Sequence, residues 1–175
     1  MRLIRSSSEA FDLLREVGAS AWLVRHHELV AEAARELSGA IIAAHGPILD
    51  AAEVEVGAAL HDVGKTRFPA EMTGPGSHHE AAGQALLESL GVPPSISRHC
   101  ILHASWRDTT DLEPLVVALS DKLWKGKRVD ALEEAVVHSV ASASESDFWT
   151  VYATLTACFE AVASRAGERL ERSRV

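Results

Sequence analysis

Apolar residues return along this chain at helical intervals. Leu23, Val30, Leu37 and Ile41 mark one face at spacings of roughly 3.6, which predicts a long helix over residues 21–44. Gly46-Pro47 breaks it, and Asp50 is placed to cap a second helix over 51–64, where Val54, Ala58 and Leu60 are apolar and His61-Asp62 lies near the C-terminal end. Residues 66–78 contain Pro69, Gly74, Pro75 and Gly76 and predict a loop suited to a rim or lid. A helix over 79–90 is stopped by Gly91 with Pro93-Pro94 beyond, and a short one over 95–104 has Ser95 or Ser97 as candidate caps. Leu115, Val116, Val117 and Leu119 predict an apolar helix over 113–124 with Asp121 near its end, and two more helices follow over 129–142 and 147–167. At the start, Ser6-Ser7-Ser8 before Glu9 reads as a helix N-cap region. No run alternates as a strand would, no repeat recurs, and no low-complexity linker appears. The pattern predicts an all-α fold.

Composition narrows this further. A chain of 175 residues suits a single domain, residues 1–175, with a core of good size. Apolar residues make up 47%, which excludes a disordered composition. A formal net charge of −8 argues against non-specific nucleic-acid binding, although a local basic cluster can still hold a phosphate. Cys100 and Cys158 have no metal or redox spacing, so reduced thiols and a cytoplasmic location are expected. The first residues lack an apolar signal region. The stretch from Trp149 to Ser164 contains Glu160 and is too short to span a bilayer, so no membrane association is expected.

The chemistry lies in where histidines and aspartates fall. His26, His61-Asp62, His79, His103 and Asp121 sit mostly in apolar helical stretches, which rarely hold groups that need solvation unless something binds them. Imidazoles with carboxylates are a ligand set for a divalent transition metal. Periodicity leaves choices open. Leu23 and Val30 flank His26 and His27 alike, His78 and His79 are adjacent, and His99 and His103 share one helical face. Lys65 follows His61 by four residues, on that ligand's face, and is a candidate partner for a substrate oxyanion. Lys122, Lys125, Lys127 and Arg128 form a positive run just after Asp121, readable either as a solvated helix end or as a phosphate-recognition patch.

The string His61-Asp62-Val63-Gly64-Lys65, with the flanking histidines and Asp121, resembles the HD-domain superfamily of metal-dependent phosphohydrolases. The resemblance covers roughly residues 20–130. It implies a helical HD bundle with a core over about 20–130 and extra C-terminal helices over about 131–170 that pack on it and offer a face for a homodimer. It selects His26, because the first ligand of the family looks like His-x-x-x-Val-Ala, here with Val30-Ala31. It selects His79 through His79-Glu80-Ala81-Ala82-Gly83, where a small Gly83 would allow close helix packing, and it favours His103 over His99.

The order of ligands is similar to the two-metal branch of that superfamily. The resemblance then implies His26, His61, Asp62 and Asp121 on one ion, and Asp62 bridging to a second ion held also by His79 and His103. One or two divalent transition ions, iron or manganese among them, suit such a set. The implied function is hydrolysis of a phosphate ester or anhydride, of a nucleotide or other small phosphorylated metabolite, by metal-activated water. Asp62 and Lys65 are the expected catalytic residues, and Lys65, Lys122, Lys125 and Arg128 the expected substrate-binding ones. A di-iron oxygenase on the same scaffold and a nucleotide-binding regulatory module are the alternatives.

Overall fold

The structure, a computed structural model, describes residues 2–174. These form α1 (Ser7–Glu16), α2 (Ala21–His45), α3 (Ala51–Leu60), α4 (His78–Ser89), α5 (Pro94–Ser97), α6 (His99–Leu102), α7 (Leu112–Leu123), α8 (Asp130–Ala143), α9 (Phe148–Ser164) and α10 (Ala166–Arg172). Short 3-10 turns lie at Val63–Thr66, Pro69–Met72 and Trp106–Asp108, and no strand occurs among the described residues. The fold is all-α. No helix of the described residues is long and apolar enough to cross a membrane.

The apolar face of α2 organises the bundle. Leu23, Leu29, Val30, Leu37 and Ile41 are buried along it, against α3 and α7, which also pack on each other. Truncating a residue such as Leu37 or Leu60 in this spine to alanine removes apolar contact and leaves a cavity, at a cost of about 2–5 kcal/mol. Helix α1 packs on α2 and α3, while α8 and α9 pack on α7 and α9 returns to α2. Side-chain caps fix several helix starts. Ser6 Oγ accepts from the Glu9 amide at 3.3 Å, and Asp50 Oδ1 accepts from the amides of Ala52 and Glu53 at 2.9 and 3.0 Å. The C-cap of α2 is Gly46, at φ 85°, a conformation that favours glycine.

Several elements differ from the pattern reading. The helix expected over 51–64 ends at Leu60, and the chain turns through His61-Asp62 into the Val63–Thr66 turn. The cause is a backbone contact between this turn and α4. A methyl group on Gly64 would lie 1.9 Å from the His79 carbonyl oxygen and 2.6 Å from the Gly83 amide nitrogen. Gly83 meets the same turn from the other side, with Cys100 Sγ 3.1 Å from where its Cβ would be. The region expected to be a loop over 66–78 carries the Pro69–Met72 turn. The helix expected over 95–104 is two short pieces, α5 and α6. Pro93 and Pro94 start the first, and neither Ser95 nor Ser97 caps it; Ser97 Oγ instead donates to Glu88 Oε1 at 3.1 Å. The helix expected over 147–167 stops at Ser164, and α10 continues from it.

Helix α10 is pinned across α2 by charge. Arg169 is 0% exposed, and it donates to Glu32 Oε1 at 3.1 Å, Glu36 Oε2 at 2.5 Å and the Val162 carbonyl at 2.7 Å. Arg172 adds two bonds to Glu32 at 2.9 and 2.8 Å, and Arg165 pairs with Glu36. A guanidinium buried this deeply is tolerated because its donors are satisfied.

Candidate metal centre

Five elements deliver six side chains to one place. His26 comes from α2, His61 and Asp62 from the turn that ends α3, His79 from the first turn of α4, and Asp121 from the last turn of α7. His103 directly follows α6. All six are buried. The Asp62 carboxylate stands in the middle. Its Oδ2 lies 3.4 Å from His26 Nε2 and 3.5 Å from His61 Nε2, while its Oδ1 lies 3.0 Å from His79 Nε2 and 3.4 Å from His103 Nε2. Asp121 Oδ1 completes the first group, 3.8 Å from both His26 Nε2 and His61 Nε2. The two oxygens of Asp62 therefore face two different pairs of imidazoles.

The rings are oriented from behind. His61 Nδ1 hydrogen-bonds the Ala58 carbonyl at 2.8 Å, and His103 Nδ1 bonds the His99 carbonyl at 3.1 Å. A carbonyl only accepts, so each Nδ1 carries the proton and each Nε2 presents a lone pair to the centre. His79 is held by a residue that the sequence reading did not single out. Glu71 Oε2 accepts from His79 Nδ1 at 2.6 Å and from the His79 amide at 3.1 Å. Its other oxygen takes the His78 amide at 3.2 Å and His78 Nδ1 at 3.0 Å.

These contacts leave a polar deficit at the centre. Nε2 of His26, His61 and His79 and Oδ1 of Asp62 are buried without a hydrogen-bond partner. His79 Nε2 is 3.0 Å from Asp62 Oδ1, but with the ring proton on Nδ1 facing Glu71 both atoms are acceptors and do not satisfy each other. Buried, unsatisfied polar atoms of this kind are costly unless something fills the gap between them. Ligand atoms at about 2.0–2.2 Å from one ion lie about 3–4 Å apart, the separations found here. His26, His61 and Asp121 form one group able to hold an ion, and His61, Asp62 and His103 another.

Charge is balanced around the same carboxylates. Burial alone would raise the Asp62 carboxyl, yet the His61 charge and the His103, His26 and His79 rings hold it well below the usual range. Asp121 is likewise held well down against burial, by His61, Lys122 and Lys125. Burial lowers His61 despite both aspartates. Burial also acts to lower His79, but Asp62 and Glu71 outweigh it and raise it.

The residues expected at the rim divide. Lys65 Nζ donates to Asp62 Oδ2 at 2.5 Å, Lys122 Nζ to Asp121 Oδ2 at 2.7 Å, and Lys125 Nζ lies 3.8 Å from Asp121 Oδ1. Arg128 does not join them. Its guanidinium is taken by Glu133 at 2.5 and 2.7 Å and by Glu160 at 2.5 Å. The adjacent histidines also separate. His27 is fully buried, with Nδ1 3.2 Å from the Ala58 carbonyl that His61 shares, and His99 packs in the core with Nε2 3.3 Å from Glu53 Oε1. Trp22 stacks on His26 with ring centroids 5.9 Å apart, and Trp124 meets the same ring edge-on at 5.3 Å.

The family model of the HD domain matches residues 23–126, from the first turn of α2 to just past α7. The chain belongs to the HD-domain family. That match spans every element that supplies the buried cluster, and it places the chain in a superfamily of metal-dependent phosphohydrolases. Neither the curated proteins nor the solved structures contain a match to it.

Proposed function

We propose that this HD-domain protein is a metal-dependent phosphohydrolase that cleaves a phosphate ester or anhydride of a small phosphorylated substrate. The observation that carries the reading is the convergence of orphaned, buried imidazole nitrogens on the two oxygens of Asp62. Four imidazoles with two carboxylates suit a mid-row divalent ion such as iron or manganese, whereas an all-oxygen site favours magnesium. His26, His61, Asp62 and Asp121 would hold one ion, and Asp62, His79 and His103 a second. Divalent ions so held polarise a phosphoryl oxygen and lower the pKa of water.

The chain's own residues supply the rest. Lys65, Lys122 and Lys125 bring positive charge to the edge of the cluster, where Lys65 and Lys122 each pair with a buried carboxylate. Each ammonium can turn from its aspartate to a non-bridging phosphoryl oxygen and offset charge that builds in the transition state. Burial lowers the Lys125 ammonium from its usual value, and Asp121 only partly restores it. Asp62 and Asp121 are held ionised, while the Ala58 and His99 carbonyls and Glu71 keep the lone pairs of His61, His103 and His79 pointed inward.

The test is a panel of phosphate esters and anhydrides given to metal-stripped protein reloaded with Mn(II) or Fe(II). Phosphate release should depend on the metal. Lys65→Ala should keep its metal content and lower kcat/KM by roughly ten- to a thousand-fold, the loss expected for one charge-stabilising donor. Equal turnover without metal, or none with any metal on any ester, contradicts the reading.

A further inference from the structure

We propose that Glu71 is a positioning residue that sets the binding of the ion held by His79. This rests on the metal-centre reading above. Glu71 lies in the Pro69–Met72 turn, and its carboxylate reaches the start of α4. At 2.6 Å from His79 Nδ1, it is the strong partner of that ring. Glu80 is the other carboxylate nearby, but its Oε2 stands 3.7 Å away, beyond a hydrogen bond.

An acceptor-only carboxylate on Nδ1 fixes the proton there and frees Nε2, which points at Asp62 Oδ1. His61 and His103 get the same orientation from backbone carbonyls, which every sequence can supply. His79 has no such carbonyl and relies on a side chain. A ligand histidine whose outer nitrogen meets a carboxylate is also a stronger base toward the metal.

The surrounding chain is shaped to deliver this oxygen. Gly76 has φ 152°, which disfavours other residues, and a Cβ there would come within 2.4 Å of Glu71 Oε1. Glu71 also accepts both amides that open α4, at 3.2 and 3.1 Å, so one side chain sets the helix start and the ring it carries. The loop therefore bears on the metal centre through a single carboxylate.

The experiment is a titration of metal-stripped full-length protein with Mn(II), reading free Mn(II) by electron paramagnetic resonance. Wild type should take two ions. Glu71→Gln should weaken one of the two by about 10–100-fold and leave the other unchanged, while Glu80→Gln should weaken neither. Gly76→Ala, which displaces the carboxylate without removing it, should repeat the Glu71→Gln pattern and guards against a variant that fails to fold. In the Zn(II)-loaded protein, proton–nitrogen spectra should show a hydrogen-bonded Nδ1–H on His79 that Glu71→Ala loses. If Glu71→Gln lowers only the melting temperature of the metal-free protein and binds both ions as wild type does, Glu71 merely ties down the loop and the proposal is wrong. If wild type itself takes no Mn(II), the metal-centre reading fails instead, and the Nδ1–H signal in the metal-free protein still reports on Glu71.

Discussion

At the scale of single residues, the buried cluster turns on which of two adjacent histidines faces inward. His26 Nε2 lies within 3.4 Å of Asp62 and 3.8 Å of Asp121, whereas His27 Nδ1 lies on the Ala58 carbonyl. His26→Ala should therefore abolish metal retention at the position shared with Asp121 while leaving the helix intact. His27→Ala should keep the metal and instead cost stability, because a fully buried ring is removed from the core, at about 2–4 kcal/mol. Metal analysis of both purified variants beside their melting curves checks this, and metal loss in the His27 variant alone would reverse the assignment. Periodicity could not separate the two, since Leu23 and Val30 flank both; only the Val30-Ala31 element of the family pattern did. Glu71 escaped altogether. It belongs to no motif, and its role exists only because the loop folds back at Gly76 and brings it to a histidine eight residues away.

At the scale of elements, what was legible followed local rules. The apolar stripe of α2 and the Asp50 cap depend on neighbours in sequence, and both are present. What was not legible depends on contact between distant segments. The sequence after Leu60 gives no stop signal, and α3 ends there because Gly64 meets the backbone of α4. Helix α10 was missed as a separate element for a similar reason, because Arg169 reads as a surface charge until Glu32 and Glu36 of α2 enclose it. That staple predicts a pH dependence. Arg172 and then, against burial, Arg169 hold the Glu32 carboxyl below its usual value. A carboxyl depressed in the folded state contributes stability in full above its unfolded value of about 4.3, and loses it as pH falls through the lower folded value. Glu32→Gln should thus lower the melting temperature at pH 7 by about 3–6 °C, from the loss of one charged hydrogen-bond partner in a chain of this size. The gap to wild type should shrink as pH drops below about 4. A gap that persists unchanged at low pH would show that the carboxylate charge is not what holds α10.

At the scale of the whole molecule, the fold converts a dispersed pattern into one charged, buried centre. Helices α2, α3 and α7 form a spine, α6 packs on α3 and α7, α4 packs on α6 and on the turn that follows α3, and each contributes to the same cluster around Asp62. The HD-domain family accounts for this arrangement, and under the proposed function the lysines beside the two aspartates would meet the phosphorylated substrate. Hydrolysis and oxygenation use similar ligand sets, so the source of the oxygen in the product separates them. The most direct measurement is turnover of a cleaved phosphate ester in ¹⁸O-labelled water by the metal-loaded protein, with and without O₂. The account predicts equal turnover in both atmospheres and one labelled oxygen on the released phosphoryl group. Turnover that requires O₂ and leaves the phosphate product unlabelled would contradict it.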